Sequence, residues 1–245
     1  MARLLNKVTL ITGSSSGIGR AIALRYAQEG AHIVCTDLSP TARSQVPDEV
    51  EITTHDAIIK AGGRAIYVQT DVSDAHQMER AVQTAVTEFG RLDILVNNAG
   101  LSTDTRNPTR VHETDEHDWD TILRVNTKSV FLGCNSVWGL VGGLGAPAYC
   151  ASKGAIVNFT RQLALDYAPD RIHVNAICPG VIYTAMVRDV EEGSPSTMEA
   201  LRRMQPFRGL GQPDDVARMA VVLASDDASL VTGVSLPVDG GFTAH

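Results

Sequence analysis

The chain has 245 residues, of which 44% are hydrophobic and 20% are charged, and its formal net charge is −7. This length and composition suit one large α/β domain with a sizeable core and exclude a chain that is disordered throughout. The acidic balance argues against nucleic acid or an anionic membrane as the main partner, because either would need a basic face. The composition is compatible with small-molecule ligands.

The four cysteines, at 35, 134, 150 and 178, form no C-x-x-C pair, so neither a disulfide framework nor a zinc site is indicated. The opening "MARLLNKVTLITG" lacks the apolar run of a signal peptide, and no segment has the length of a membrane span. We expect a cytoplasmic protein. The His- and acid-rich "VHETDEHDW" (111–119) lacks fixed ligand spacing and is interpreted as a solvated loop and helix start, with no metal site expected.

Apolar β-branched runs alternate with helical patterns along the whole chain. This alternation predicts an α/β fold with a doubly wound parallel sheet, in a single domain over residues 1–245. Segments 39–50 and 185–200 are predicted loops, and the second is either a lid over a substrate pocket or a surface loop without a role. The predicted strands are 7–13, 31–37, 64–71, 92–98, 171–177 and 233–239, and the predicted helices are 17–29, 74–89, 115–130, 149–168 and 213–224.

A glycine-rich turn follows the first predicted strand and opens a helix, in "TGSSSGIGRAIALRYAQEG" (12–30). Gly13 suits a tight turn, Gly17 the approach of backbone to a pyrophosphate, and Gly19 close packing of helix on strand. The spacing differs from the commoner G-x-G-x-x-G, so the strand before and the helix after it carry the argument. We predict a dinucleotide site here, and the alternative is a purely structural turn.

Asp37 ends the second predicted strand, where a carboxylate would accept hydrogen bonds from the adenosine ribose hydroxyls. A carboxylate repels the 2′-phosphate of NADP, so Asp37 favours NAD as cofactor. Arg43 follows shortly after it and keeps NADP possible. The alternative for Asp37 is a loop aspartate that caps a turn.

Polar residues also end the third and fourth predicted strands, in "TDVSD" (70–74) and "NNAG" (97–100). The carboxyl ends of parallel strands share one edge of the sheet, where ligands bind. Asp71 is therefore a candidate for the adenine edge, and Asn98 and Ala99 for the ribose. Each is also compatible with a strand-end polar residue whose hydrogen bonds are satisfied locally.

The most specific chemical signal is "YCASK" (149–153). Tyr149 and Lys153 stand four residues apart at a predicted helix start and so share one face. The lysine ammonium would stabilise the phenolate, and the pair would exchange a proton with an alcohol or carbonyl while hydride moves to or from nicotinamide. Ser136, thirteen residues before Tyr149, is placed to hydrogen-bond the same substrate oxygen. Taken alone, a Tyr and a Lys at this spacing are common by chance.

The motifs "TGSSSGIG", "DV" at 71–72, "NNAG", "YCASK", "PGVIYT" (179–184) and "VDGG" (238–241), in this order, resemble the classical short-chain dehydrogenase/reductase family over nearly the whole chain. The resemblance implies a Rossmann-type fold, homodimers or homotetramers, and the oxidation of alcohols or reduction of carbonyls with NAD(H) or NADP(H). The stretches "DLSPTARSQVPDE" and "NAICPGVIYTAM" are most similar to fungal members that tailor secondary metabolites.

The resemblance also implies residue roles. Tyr149 is the proton donor and acceptor, Lys153 favours its ionised form and binds the nicotinamide ribose, and Ser136 orients the substrate. Asn126 links Lys153 to a proton-relay water, and the "PGVIYT" segment holds the nicotinamide amide and the diphosphate. The predicted cofactor-binding residues are Gly13, Ser15, Ser16, Gly17, Ile18, Gly19, Asp37, Leu38, Asp71, Val72, Asn98, Ala99, Gly100, Tyr149, Lys153, Pro179, Gly180, Val181, Ile182 and Thr184.

The chain departs from the family between Asn126 and Ser136, which only nine residues separate. The resemblance implies the rest of a helix, a loop and a central strand between these positions. Crossing a sheet of about 20 Å and returning takes about a dozen helical residues at ~1.5 Å each and about six strand residues at ~3.3 Å each. The sequence therefore predicts an apparent deletion, with one central strand missing or remodelled.

Three outcomes of this deletion are open. Residues 129–136, "SVFLGCNS", form the strand, which keeps Ser136 near its place but displaces Asn126; this outcome is favoured. Alternatively, the flanking strands close up and leave Ser136 on a loop, or the chain derives from a mis-joined gene model and folds poorly. An uncovered strand edge would expose unpaired backbone groups.

The leading functional hypothesis is an oxidoreductase that transfers hydride between a nicotinamide cofactor and a secondary alcohol or ketone. The second is a nucleotide-binding protein without turnover, because the short connection disturbs the catalytic geometry. A third, a purely structural oligomer, does not account for so many residues that match a cofactor site.

Overall fold

The structure is a computed structural model that describes residues 2–42, 47–102, 110–128, 136–185, 187–188 and 195–244. The chain divides into two compact units. The first unit comprises Met1–Ala99 with Pro213–Ser229, and the second comprises Gly100–Gln212 with Leu230–His245. Among the described residues, no helix combines the length and the apolar character that crossing a membrane would require.

Strands and helices alternate through most of the chain. The strands are β1 Val8–Thr12, β2 His32–Asp37, β3 Arg64–Gln69, β4 Ile94–Asn97, β5 Ala176–Pro179 and β6 Ser235–Val238. The helices are α1 Gly17–Gln28, α2 Pro47–Val50, α3 Thr54–Lys60, α4 Ala75–Phe89, α5 Glu116–Leu123, α6 Pro147–Asp166, α7 Pro195–Arg203 and α8 Pro213–Ala224. A π-helix, Arg124–Lys128, continues α5, and single 3-10 turns include Val111–Glu113 and Val137–Gly139.

The first unit contains a four-stranded parallel sheet in the order β3-β2-β1-β4. The inner strand β1 is buried at all five residues, as expected for a parallel strand covered on both faces. Leu10 of β1 pairs with Val34 on one side and Leu95 on the other. This register brings the carboxyl ends of all four strands to the same edge.

Helices complete the first unit by covering the sheet with their apolar faces. Buried Ala81 and Ala85 of α4 pack on Val8, Leu10 and Val34 of the sheet. Tyr26 of α1 donates a hydrogen bond to the Ala220 carbonyl of α8 at 2.8 Å, and the two helices are also joined by an Arg25–Asp214 ion pair. The small side chains of these alanines allow α4 to pack closely on the sheet.

The second unit contains two parallel strands, β5 and β6, with Ala176 opposite Ser235 and Pro179 opposite Val238. Helix α6 is the longest described helix, and Pro147 at its first turn supplies a favourable helix start. A small core of this unit brings Val137, Cys178 and Phe242 together. Parallel strands alternating with helices confirm the predicted α/β fold of Rossmann type, whereas the single domain over 1–245 stays a prediction.

Several predicted boundaries are wrong. The fifth strand begins at Ala176 instead of 171, because only there does its ladder with β6 start. Helix α3 was not predicted, since its "THDAIIK" is short and weakly patterned. Of the two predicted loops, 39–50 contains α2, and 185–200 contains the first part of α7 in its described portion.

The described strands form two ladders, one in each unit. β4 pairs with β1 and β5 pairs with β6, and no described strand joins the two sheets. Closure of the sheet by direct pairing of β4 with β5 stays a prediction. The strand predicted at 129–136 lies outside the described residues except for its last residue, Ser136. Ser136 is the N-cap of the 3-10 turn Val137–Gly139.

Candidate active site

The glycine-rich turn links β1 to α1 in the first unit. Gly13 has a φ of 63°, the left-handed region that favours glycine, and a Cβ there would lie 2.9 Å from Ala99 Cα. A Cβ on Gly19 would overlap the Gly13 carbonyl oxygen. The close helix-to-strand packing expected at Gly19 is thus present.

The N-terminus of α1 holds a carboxylate. The Gly17 N–H donates to Glu49 Oε1 at 2.8 Å, and the N-cap residue Ser16 makes no side-chain capping bond. The first N–H groups of a helix have no partner within the helix, and its dipole favours negative charge there. Since this end accommodates one anionic group, the donors at Gly17, Ile18 and Gly19 fit the diphosphate of a dinucleotide chemically.

Asp37 is tied to the same turn. Its Oδ2 accepts from the Ser15 N–H at 3.1 Å and its Oδ1 from the Leu38 N–H at 2.8 Å. Tyr67 donates its hydroxyl to the Asp37 carbonyl at 2.8 Å, and burial, followed by the charge of Asp37, raises the pKa of Tyr67 to about 12. Each carboxylate oxygen has more than one acceptor site, so Asp37 keeps capacity for ribose hydroxyls.

Thr54 and Arg20, which sequence reasoning missed, support the turn from behind. The Thr54 hydroxyl donates to the Ser14 carbonyl at 2.7 Å and accepts from Arg20 Nη1 at 3.0 Å, and all three residues are buried. Burial raises the pKa of the neighbouring Cys35 to about 12, so its thiol stays protonated. No local sequence pattern predicts this role of Thr54, because its hydrogen-bond partners lie 34 and 40 residues away.

The strand-end polar residues differ in what they contact. Asn98 Nδ2 donates to the carbonyls of Thr12 and Gly13, both at 3.1 Å, and so joins the end of β4 to the glycine turn. Asp71 Oδ1 instead accepts from the N–H and hydroxyl of Ser73, both at 2.8 Å. The hydrogen bonds of Asp71, with Val72 in the same turn, are therefore satisfied locally, as the alternative interpretation predicted. Asn98 and Ala99 instead border the glycine turn.

In the second unit, Asn126 lies in the π-helix and is fully buried. Its Oδ1 accepts from the Leu101 N–H at 2.9 Å, and its Nδ2 donates to the Leu101 carbonyl at 2.8 Å. A Cβ on Gly100 would lie 3.3 Å from Asn126 Oδ1 and 3.7 Å from Lys153 Nζ. The π-helix places Asn126 beside Gly100 with Lys153, and the displacement expected with a strand at 129–136 stays a prediction.

Tyr149 and Lys153 lie in the first turns of α6, as predicted. Lys153 is 5% exposed, and its Nζ is 5.3 Å from the centroid of the Tyr149 ring. Ser152, which sequence reasoning did not single out although it lies within "YCASK", donates to the Tyr149 carbonyl at 2.7 Å and accepts from Asn126 Nδ2 at 3.3 Å. Ser152 thereby connects the helical turn that carries the tyrosine to the buried asparagine.

Ser136 is connected to this cluster through Trp138, two residues further along the chain. Its Oγ accepts from the Trp138 N–H at 3.3 Å, and the Trp138 ring packs edge-on against Tyr149 with centroids 5.8 Å apart. The hydroxyl keeps its own proton to donate and a second acceptor site. The structure thus places Ser136 at the start of a turn against Tyr149, with its hydroxyl engaged as a helix cap.

The segment Pro179–Thr184 leaves the end of β5. Gly180 N–H donates to the Val238 carbonyl at 3.1 Å, and the Thr184 carbonyl accepts from the N–H of Val187 at 3.0 Å. Ile182 is buried and forms an isolated parallel bridge with Gly211. Gln205 and Asp239, neither of which was predicted, line Gly180, where a Cβ would lie 2.9 Å from Asp239 Cα.

Taken together, the turn, the sheet and the strand-end residues define a dinucleotide-binding α/β protein of Rossmann type. A model of the short chain dehydrogenase family matches residues 7–195. The chain therefore belongs to the short-chain dehydrogenase/reductase family and is a nicotinamide-dependent oxidoreductase.

Two curated relatives match this chain over nearly its whole length. Cyclopentanol dehydrogenase of Comamonas sp. (strain NCIMB 9872) is 36% identical over 263 aligned positions, with 100% of both chains covered. Meso-2,3-butanediol dehydrogenase of Serratia marcescens is 35% identical over 260 positions, with 99% of this chain and 96% of that one covered.

Solved structures show the same fold over nearly the whole chain. Carveol dehydrogenase from Mycobacterium avium, in complex with NAD, has a TM-score of 0.90 at 27% identity and covers 100% of both chains. Levodione reductase has a TM-score of 0.88 at 29% identity, with 99% of each chain covered. The similarity extends beyond the family model to the described C-terminal residues.

Proposed function

We propose that this protein oxidises a secondary alcohol or reduces the corresponding ketone, with Tyr149 as proton donor and acceptor. The observation that carries the proposal is the buried cluster in which Asn126, Ser152 and Lys153 surround the turn that bears Tyr149. The curated relatives named for cyclopentanol and meso-2,3-butanediol support an alcohol of this class.

In this proposal, residues of the cluster and Ser136 handle the proton. A bound nicotinamide supplies or accepts the hydride. The Tyr149 Oη gives its proton to the carbonyl oxygen during reduction or takes one from the alcohol during oxidation. The Lys153 ammonium attracts the ring and its phenolate charge, and the Ser136 hydroxyl orients the substrate oxygen.

The experiment compares the wild-type protein with the variant Tyr149→Phe on cyclopentanol, 2,3-butanediol and their ketones. We expect turnover to fall by a factor of about 10² to 10⁴, because general acid–base catalysis is worth that much. The NADH affinity should remain within about twofold, because the phenyl ring keeps the contact with Trp138. Unchanged turnover would exclude Tyr149 as the proton-transfer group.

A specific observation favours the second candidate, a nucleotide-binding protein without turnover. The Ser136 hydroxyl caps its own 3-10 turn, and only nine residues connect it to Asn126. If the wild-type protein binds NADH but turns over no member of the alcohol and ketone panel, this candidate replaces the first.

We also propose NAD as the preferred cofactor. Asp37 directs its carboxylate at the Ser15 N–H of the glycine turn, and a 2′-phosphate at that position would meet a like charge. A lower dissociation constant for NADH than for NADPH is expected, and substitution Asp37→Asn should narrow the difference. A preference for NADPH in the wild type would contradict the assignment.

The apparent deletion remains part of the proposal. The described residues lack a strand between β4 and β5, and the alignment with cyclopentanol dehydrogenase runs over 263 positions although this chain has 245 residues. A mis-joined gene model makes the same pattern, so sequencing the transcript across codons 126–136 decides between a deletion in the protein and an error in the gene model.

Three further proposals are a homodimer or homotetramer, a cytoplasmic location and a role in secondary-metabolite biosynthesis. The first and third come from the family resemblance, and the second comes from the sequence itself. Light scattering of the purified protein tests the first, and fractionation of the source cells tests the second. The third predicts co-expression with polyketide or terpenoid biosynthetic enzymes.

A further inference from the structure

Gln205 is a buried amide in the second unit, two residues beyond the end of α7. It is only 2% exposed, so its polar atoms need protein partners. Its Oε1 accepts from the Val181 N–H at 2.7 Å, and its Nε2 donates to the carbonyls of Val181 at 2.9 Å and Gly209 at 2.8 Å. One side chain thus bonds both main-chain groups of Val181.

These bonds lie just beyond the point where the strand ladder stops. The last paired residues of β5 and β6 are Pro179 and Val238. Val181 is two residues further along, and there the Gln205 amide takes the place of a neighbouring strand's main chain. The Gly211 N–H adds a third bond, to the Val181 carbonyl at 3.0 Å.

The approach of this amide depends on Gly180. A Cβ on residue 180 would overlap Gln205 Oε1, so the amide reaches the main chain only because glycine stands there. The hydrogen bonds of Gln205 therefore require glycine at position 180. They join parts of the chain that are far apart, since 24 residues separate Gln205 from the Val181 main chain that it binds.

We propose that Gln205 is a positioning residue for the nicotinamide half of the cofactor. Its amide fixes the main chain of Gly180 and Val181, and through them the segment up to Thr184. The inference rests on the proposed function and on the family resemblance, which implies that this segment holds the nicotinamide amide and the diphosphate. Gln205 acts through that main chain and touches neither the cofactor nor the substrate.

The test uses NADH and ADP-ribose, which lacks the nicotinamide, as titrants of the full chain. The variant Gln205→Met keeps the length of the side chain but removes all three hydrogen bonds. We expect its dissociation constant for NADH to rise at least tenfold and that for ADP-ribose, which keeps the diphosphate but lacks the nicotinamide, to rise by a clearly smaller factor. Equal changes for the two ligands, or no change for either, would overturn the proposal.

Asn175 provides a matched control at the opposite end of β5. Its amide makes the same kind of bonds, with Nδ2 donating to the Val231 carbonyl at 2.8 Å and Oδ1 accepting from the Val234 N–H at 3.2 Å. Asn175→Leu should lower the melting temperature and leave the ratio of the two affinities unchanged. A similar change of that ratio would show that general loosening of β5, and not positioning by Gln205, is responsible.

If Gln205→Met does not fold, the wild-type protein still decides the question by NMR. The resonances of the Gln205 side-chain amide are expected to shift when NADH is added and to stay in place when ADP-ribose is added. The absence of a NADH-specific shift would overturn the proposal. Failure of the wild type to bind NADH at all would instead count against the proposed function.

Discussion

The two units of the chain stabilise their main chains in different ways. In the first unit, Thr9–Thr12 of β1 pair on both sides within a four-stranded ladder, and side chains such as Asn98 and Thr54 bind the main chain at the glycine turn that follows. In the second unit, two strands of four residues end abruptly, and the side chains of Asn175, Gln205 and Asp239 bind the main chain around them.

This difference has consequences for substitutions. Ladder hydrogen bonds join main-chain groups that nearly every residue carries, so they tolerate changes of side chain. A side-chain amide or carboxylate is lost with a single substitution and leaves buried main-chain groups unpaired. We therefore expect polar substitutions to affect the second unit more, and changes of backbone packing to affect the first unit more.

The largest effect is expected for Gly19→Ala in the first unit. The added methyl group would overlap the Gly13 carbonyl, which the sheet prevents from moving, at a cost of about 3 kcal/mol in the free energy of unfolding. Urea unfolding measures this cost, and NADH titration should show weakened binding. Gly142→Ala is the control, because nothing lies within 4 Å of its added Cβ. Equal costs for both variants would contradict the close packing of the turn.

A smaller loss, of about 2 kcal/mol, is expected for Asn126→Ala in the second unit, because it leaves the partly buried N–H and carbonyl of Leu101 without this partner. Catalytic turnover should fall further than NADH affinity, since the same amide contacts Ser152 beside Tyr149. Asn98→Ala is the matched change in the first unit. A larger stability loss for Asn98→Ala would reverse the comparison of the two units.

Asp239 predicts a pH dependence of the second unit. Burial alone raises the pKa of Asp239, but hydrogen bonds from Thr243 and Gly241 outweigh it and hold the pKa below its usual value. Because the folded-state pKa is depressed, the stabilisation is present above the unfolded value near ~3.9 and is lost as the pH falls through the folded value.

Urea unfolding between neutral and acidic pH tests this dependence. Asp239→Asn should remove part of this pH-dependent stabilisation and lower the free energy of unfolding by about 1 kcal/mol at neutral pH. The matched variant in the first unit is Asp214→Asn, where burial raises the pKa but bonds from Arg25 and Arg218 lower it. Its effect should be smaller, because the Asp214 side chain is 40% exposed and water screens it. Equal losses would count against the comparison.

The smallest effect is expected at the N-terminus of α1. Glu49→Gln removes the anion that accepts from the Gly17 N–H, and the cofactor diphosphate would otherwise have to displace it. The dissociation constant for NADH should fall by about two- to threefold, in line with about 0.5 kcal/mol for a charge at a helix terminus. Glu51→Gln, at an exposed neighbouring position, should leave the constant unchanged. Weaker binding by Glu49→Gln would instead make Glu49 part of the cofactor site.

Much of the fold was predictable from short-range patterns. Apolar, β-branched runs predicted β1 to β4 within two residues of their ends, and "TGSSSGIG" predicted the turn into α1. The start of β5 was misplaced because polar and apolar residues alternate through "RIHVNAI", as in a strand, and only pairing with β6 shows where the ladder begins. Helix α3 was missed because seven residues carry little periodicity.

Within the candidate site, the sequence by itself determined which groups could do chemistry: the glycine turn, Asp37, and Tyr149 four residues before Lys153. These signals are local, since a turn, a strand end and one face of a helix each lie within a few residues. Only the tertiary structure decided how Asn126 binds Leu101, how Ser152 joins Asn126 to Tyr149, and how Gln205 binds Val181. Hydrogen bonds of this kind join residues more than twenty positions apart, and their geometry depends on the packing of whole elements, which no local pattern encodes.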